Sequence, residues 1–214
     1  LAGDAADVVD VLDRAGVEAA HLVGHSYGGL VAIELAVAAP ERVRSLQLLE
    51  PPYLALMPND SAVLALDQAM RPIRERAAEV GPERTAEAFF RQLASPAGMA
   101  ALQASPRWRD IVREAARFAA GEYGGDCPAD RLAQVAPDLP VVVYRGERSH
   151  PGLKEIAAEI ARRLPRARLV TLPDAGHAVQ QARGFVAALL ETTEPFAAKP
   201  GRARAGGDSA RADE

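Results

Sequence analysis

An α/β fold is predicted, a mostly parallel sheet with helices on both faces and a block of helices inserted between two of the strands. Short apolar runs of strand length alternate with amphipathic helical stretches through short connections, the pattern of a parallel sheet. The first such run ends in a glycine-rich turn, Gly24-His25-Ser26-Tyr27-Gly28-Gly29, that leads directly into a helix. With 214 residues, 49% hydrophobic and 25% charged, the chain is long enough to bury a core as one domain with a small insertion.

The first helix is expected from Asp4 to Ala15. There Val8, Val9, Val11 and Leu12 interleave with Asp7, Asp10, Asp13 and Arg14, and Gly16 sits where a C-terminal cap belongs. Ala19 to Val23 is nearly unbroken apolar sequence, as in a parallel strand covered on both faces. A small-residue helix runs from Leu30 to Ala39 and stops at Pro40, and Val43 to Leu49 reads as a second strand ended by Glu50-Pro51-Pro52. From Tyr53 to Pro137 the pattern turns helical, with stretches at Ala62–Glu79, Glu83–Leu93 and Arg107–Ala120 and no convincing strand. Strand character returns at Leu139–Tyr144 and Ala167–Leu172, each followed by a helix, Leu153–Leu164 and Val179–Glu191. The organisation read from this is a core segment at 1–52, a helical cap insertion at 53–137, a second core segment at 138–194, and a tail at 195–214. The tail lacks apolar bulk and is expected to be disordered.

Charge and cysteine content remove several function classes. Twenty-five Lys+Arg against 29 Asp+Glu give a net charge of −4, which provides no electrostatic footprint for nucleic acid or for an anionic membrane. The single cysteine, Cys127, excludes a disulfide framework and a cysteine-based zinc site. The four histidines have no carboxylate at ligand spacing on a shared helix, so neither metal nor cofactor is expected. The glycine turn has neither dinucleotide-binding spacing nor a phosphate-binding lysine. No apolar run approaches the length of a membrane span, and the N-terminus lacks the basic and apolar regions of a signal peptide. These features predict a cytoplasmic protein whose partner is a small-molecule substrate. The chain begins with Leu1 and not Met, so a preceding portion is expected.

Gly24-His25-Ser26-Tyr27-Gly28 matches G-x-S-x-G, and its flanks are the strand and helix that the motif requires. A serine on so sharp a turn is held out above the sheet at the positive end of the following helix. The backbone N–H of Tyr27 is then directed at the place where an oxyanion would form. The flanking glycines are expected because a side chain there would collide with the neighbouring strand or helix. A serine hydroxyl needs an adjacent base. His21 reads as a packed strand residue, His25 points toward supporting structure, and His150 sits in a loop with no motif around it. His177 follows the last strand, where loops gather on the same sheet edge as Ser26, and is the expected base.

The Gly24-to-Gly29 turn, the helical insertion after the next strand and the Gly176-His177 pair together resemble the α/β-hydrolase family, over residues 2 to 191. The resemblance implies a serine–acid–histidine triad in that chain order, a helical cap over the site, and hydrolysis of an ester, thioester, lactone or carbon–carbon bond through an acyl-enzyme. The family most often carries its acid after the penultimate strand, where this chain reads Arg145-Gly146-Glu147-Arg148-Ser149-His150 and has Ser149 in the expected place of an aspartate. Some members carry it after the strand next to the nucleophile strand, where this chain has Glu50. The acid is therefore expected to be Glu50, with Glu147 and then Asp174 as alternatives. The resemblance also implies further strands before the first helix and a second oxyanion donor that residues 1–25 do not supply. Loss of one such donor typically costs about 10²–10³ in kcat.

The leading expectation is a serine-dependent, carboxylesterase-like hydrolase of a small ester or related acyl substrate. Its pocket would be walled by Leu54, Leu56, Met57, Phe89, Phe90 and Trp108. Ser26 argues against dehalogenase and epoxide hydrolase chemistry, which use an aspartate nucleophile. A carbon–carbon bond hydrolase, a cofactor-free haloperoxidase-like enzyme, and a degenerate hydrolase fold kept as a binding module are the alternatives.

Overall fold

A computed structural model describes residues 1–119 and 127–193. The tail expected at 195–214 lies outside the described residues. Helix α1 (Ala2–Arg14) packs Val8 and Val9 against the core, while Val11 turns outward and is 62% exposed. The helix ends as its glycine predicts. Gly16 takes φ +66°, its N–H donates to the Asp13 carbonyl, and the Val17 N–H reaches back to Leu12. This is a Schellman cap, which a glycine enters without a Cβ penalty.

Four parallel strands follow in spatial order β1-β2-β3-β4: β1 (Ala20–His25), β2 (Val43–Leu49), β3 (Val141–Gly146) and β4 (Ala167–Leu172). Helix α2 (Tyr27–Ala38) connects β1 to β2. Side-chain alternation along the two central strands divides the core. Leu46, Leu48, Val141 and Val143 face α2 and the helix between β3 and β4, while Leu49, Val142 and Tyr144 face the C-terminal segment around Phe185. Strand β1 lies at one edge of this sheet. Leu22 packs toward the first cluster, but Val23 on the other face is 52% exposed. The expected cover on both faces of Ala19–Val23 is therefore present on one, because the second cluster does not extend across to β1.

Between β2 and β3 the chain is helical: α3 (Ser61–Glu75), α4 (Ala77–Val80), α5 (Pro82–Leu93), α6 (Pro96–Ala104) and α7 (Trp108–Ala119). Asp60 caps α3 by accepting from the Ala62 and Val63 N–H groups. The helix expected over Ala62–Glu79 is two helices, because the backbone leaves helical geometry at Arg76 (φ −97°, ψ 0°). Helix α6 has no counterpart in the expected elements, although Ser95 and Pro96 form a helix start, with the serine hydroxyl accepting from the Gly98 N–H.

Helix α8 (Pro151–Arg163) joins β3 to β4. The single helix expected over Val179–Glu191 is a 3₁₀ turn at Val179–Gln181 followed by α9 (Phe185–Thr193), with Gly184 at φ +92° between them. Two contacts seat the insertion on the core. Glu34 of α2, 6% exposed, pairs through both oxygens with Arg131 on the returning 3₁₀ turn Arg131–Gln134. In α8, Gly152 meets α3 so closely that a Cβ would lie 2.5 Å from the Ala62 carbonyl oxygen. No helix among the described residues is long and apolar enough to cross a membrane.

The two glycines of the G-x-S-x-G motif differ. A Cβ on Gly24 would lie 2.4 Å from the Gly28 oxygen and 2.7 Å from the Gly29 Cα, whereas a Cβ on Gly28 would meet nothing within 4 Å. The clash expected at Gly28 belongs instead to Gly29, where a Cβ would approach the Pro51 Cβ to 2.9 Å. Strand β1 and helix α2 therefore touch backbone to backbone at Gly24. Gly24→Ala is expected to destabilise by more than about 2 kcal/mol, through overpacking against backbone that cannot yield. Gly28→Ala should change stability by less than about 1 kcal/mol. Urea unfolding of the two variants checks this, and equal losses would contradict the assignment.

Candidate active site

Ser26 stands between β1 and α2 at φ 52° and ψ −124°, a conformation rare for a residue with a Cβ. The surroundings hold it there. Its N–H donates to the Leu49 carbonyl of β2 (2.8 Å), and its carbonyl accepts from the Gly29 N–H (2.8 Å). Although Ser26 is the N-cap of α2, its hydroxyl makes no capping hydrogen bond. Tyr27 is the first residue of α2, so its backbone N–H belongs to the positive helix end. Its hydroxyl donates to Asp4 Oδ2 of α1 (2.7 Å).

Glu50 follows β2 at φ 47° and is 0% exposed. Its carboxylate accepts three hydrogen bonds. The Gly146 N–H reaches Oε1 at 2.7 Å, while the Ser149 hydroxyl reaches Oε2 at 2.7 Å and His177 Nδ1 reaches the same oxygen at 2.8 Å. A carboxylate only accepts, so Nδ1 carries the proton and Nε2 of a neutral His177 carries the lone pair. The end of β3 comes close to the His177 loop because Gly146 has no side chain. A Cβ there would lie 2.4 Å from the Ala175 oxygen. The Arg148 N–H then donates to that same oxygen at 2.8 Å.

The structure thus brings Glu50 and His177 together and leaves the other two carboxylates outside. Glu147 is exposed and accepts from the Asp174 N–H, and the Asp174 side chain, also exposed, pairs with Arg148. Ser149 and His25 are the residues that sequence reasoning missed as members of the site. The signal for Ser149 was its position, a hydroxyl where an acid was expected. His25 Nε2 lies 2.9 Å from the His177 carbonyl oxygen, which can only accept, so this ring donates. Its centroid is 4.7 Å from that of His177. Burial, the larger cause, and the adjacent His177 ring lower the His25 pKa to about 4, so it is neutral near neutral pH. His21 Nδ1 shares a hydrogen bond with Ser45 Oγ (2.8 Å), and His150 caps α8.

Ser26, Tyr27 and His177 line one cavity of about 660 Å³, walled mainly by apolar residues of the insertion and of α8. Leu54 and Phe89 line it as expected. Leu56 is instead buried in the main core, Met57 packs against that core, and Phe90 sets its ring edge-on to Phe89 at 5.2 Å. Phe90 and Trp108 are absent from the lining. Among the described residues no group of histidine, cysteine and carboxylate side chains has the geometry of a metal site.

The family model described as "Alpha/beta hydrolase family" matches residues 2–189. Over 44 residues the chain is 61% identical to "Putative carbamate hydrolase RutD" of Azorhizobium caulinodans, a match to 21% of this chain and 17% of that protein. Over 173 residues it is 28% identical to a Pseudomonas putida protein named as the dihydrolipoyllysine-residue acetyltransferase component of an acetoin cleaving system, covering 81% of this chain and 44% of that protein. The chain thus spans less than half the length of these relatives. Among solved structures, an alpha/beta hydrolase from Sphaerobacter thermophilus aligns with TM-score 0.59 at 25% identity, covering 84% of this chain and 68% of that one. An enol-lactonase from Burkholderia xenovorans aligns with TM-score 0.64 at 19% identity, covering 90% and 70%.

The depressed pKa of His25 has a consequence for stability. An unfolded histidine takes up its proton near 6.5, the folded one only near about 4, so between these values the unfolded state binds more protons. Stability therefore falls as pH drops from 6.5 to about 4 and, for this group, is unaffected above that window. His25→Gln should flatten the fall relative to the parent chain, as read by urea unfolding at a series of pH values. Parallel pH profiles would contradict it.

Proposed function

Because the chain belongs to the alpha/beta hydrolase family, we propose that it is a serine-dependent hydrolase of a small ester or related acyl compound, working through an acyl-enzyme. The observation that carries this reading is the Glu50–His177 contact of 2.8 Å beside a cavity that His177 shares with Ser26. Ser26 Oγ attacks the acyl carbon while His177 Nε2 takes the hydroxyl proton. The imidazolium so formed is stabilised by the Glu50 carboxylate through Nδ1. The negative charge on the former carbonyl oxygen is held by the Tyr27 N–H at the start of α2. Collapse of the tetrahedral intermediate expels the alcohol, which leaves with the proton from His177. Water, deprotonated by the same Nε2, then attacks the acyl-serine and releases the acid with Ser26 restored.

Each residue in this scheme has a physical requirement that its surroundings support. The nucleophile must not be consumed by a structural hydrogen bond, and the Ser26 hydroxyl makes none to the helix it caps. The base must hold a fixed tautomer, which the Glu50 oxygen imposes. The acid must remain in place when the imidazole charges, and the Gly146 N–H and Ser149 hydroxyl hold it on both oxygens. His25 anchors the His177 backbone through its Nε2 proton and competes only weakly as a base, because burial lowers its pKa to about 4.

A fluorophosphonate probe should label the chain at Ser26, mapped by mass spectrometry, and Ser26→Ala should abolish labelling. Glu50→Gln should lower kcat on a small ester by about 10²–10⁴-fold, because the imidazolium loses its counter-charge. Glu147→Gln should leave kcat within about twofold, as an exposed surface change. Absence of labelling in the parent chain, or equal losses for the two glutamates, would overturn the reading.

A further inference from the structure

The cavity beside Ser26 has a second polar feature, on α3. Val63, Leu66, Asp67, Met70 and Arg74 all line it, which places them on one face of the helix. That face extends about 16 Å along the axis at the usual helical rise. Leu66, Met70 and Leu153 form a buried apolar cluster with Phe89 and Leu93 packed on it, so the wall suits a methylene chain. Of the lining side chains, Asp67 and Arg74 carry fixed opposite charges.

Asp67 is shared between two guanidiniums. Asp67 Oδ1 accepts from Arg74 Nη2 at 2.7 Å, and its Oδ2 accepts from Arg71 Nη2 at 2.9 Å. Hydrogen bonds from Arg71 and then Arg74 hold the Asp67 carboxyl below its ordinary pKa, so it stays charged. One carboxylate thus divides its oxygens between two guanidiniums, and Glu75 also acts on the charge of Arg71. Arg74 uses one Nη in this contact, and its side chain makes no other hydrogen bond among the described residues. Its remaining N–H groups have no partner among the described residues, and Arg74 is one of the residues that line the cavity. Arg71, by contrast, is the exposed partner and does not line the cavity.

We propose that Arg74 binds a carboxylate at the far end of the acyl chain, so that the site takes the half-esters of aliphatic dicarboxylic acids. The inference deepens the hydrolase reading above and rests on it for the identity of the reacting end. One guanidinium that already faces the Asp67 carboxylate suits a monoanion better than a phosphate dianion, which the same carboxylate would repel more strongly. The planar guanidinium donors suit the two oxygens of a carboxylate. Asp67 competes with the ligand for the Arg74 guanidinium.

The test reads binding without turnover. Ser26→Ala protein is titrated calorimetrically with monomethyl adipate and monomethyl suberate, and with the corresponding dimethyl diesters. At least one half-ester should bind about tenfold more tightly than its diester, the worth of one partly exposed charge-assisted hydrogen-bonded pair. Adding Arg74→Gln should bring the two within about twofold by weakening the half-ester alone, and Arg74→Lys should keep part of the preference. Asp67→Asn should tighten the half-ester, the opposite of what a merely structural ion pair would give. Added salt should weaken the half-ester and leave the diester unchanged. Equal binding of half-ester and diester, binding of neither, or equal loss of both in Arg74→Gln would overturn the inference. Turnover of the diesters by the parent chain separates this from the function itself. Hydrolysis without half-ester preference sinks only the Arg74 site. Half-ester preference in a chain that neither hydrolyses esters nor labels at Ser26 supports the site and sinks the hydrolase reading.

Discussion

Removing a carboxylate from water costs several kcal/mol unless its oxygens find partners, and Glu50 is removed from water completely. Two segments distant in sequence supply those partners: the end of β3 and the loop after it, through the Gly146 N–H and the Ser149 hydroxyl, and the loop after β4 through His177. The rest of the site depends on this convergence. The ends of β2 and β3 and the loop after β4 must meet within hydrogen-bond distance, and they do so because Gly146 lets the His177 loop approach its backbone. Backbone strain is concentrated in the same place, since Ser26 and Glu50 both adopt positive φ. Such conformations cost about 1–3 kcal/mol each. They persist because the Ser26 and Glu50 N–H groups are tied to neighbouring strands at Leu49 and Tyr144.

The layer beneath His177 is held by a second histidine. Its backbone oxygen accepts from His25 Nε2 and from the Val179 N–H, so the loop is pinned from β1 and from its own next turn. The residue before Ser26 therefore supports the loop that carries His177. Close glycine contacts at Gly24 and Gly152 extend this logic to α2 and to the insertion, fixing the cavity between them.

Much of this was legible in sequence, and the parts that were not have identifiable physical causes. The strand-turn-helix around Ser26 could be read because its glycines, apolar run and small-residue helix agree with one another locally. The β2 and β4 strands could be read from apolar runs bounded by breakers. Val23 could not, since periodicity says a residue is apolar and not whether a neighbouring layer reaches it. Helix α6 is obscured because its Ala-rich sequence carries little amphipathic pattern, and the break before α9 rests on Gly184, a single glycine that a helical pattern can also tolerate. The strand-end position of Glu50 marks it in sequence as a candidate acid, whereas Ser149 shows only as a hydroxyl where an acid is expected. Its part as a donor to Glu50 depends on a pairing across 99 residues that no local pattern encodes. Similarly, Arg74 gives no signal in sequence beyond a basic residue in the last turn of a helix.

The Glu50 carboxylate, and no other among the described residues, accepts the Nδ1 proton of His177. Proton NMR of the imidazole N–H region tests it without any substrate. A proton hydrogen-bonded to a buried carboxylate is strongly deshielded and slow to exchange, and ¹⁵N coupling identifies the ring that carries it. One such resonance is expected from His177 Nδ1, lost in Glu50→Gln and unchanged in Glu147→Gln and Asp174→Asn. A resonance that survives Glu50→Gln, or vanishes in either of the other two variants, would contradict it.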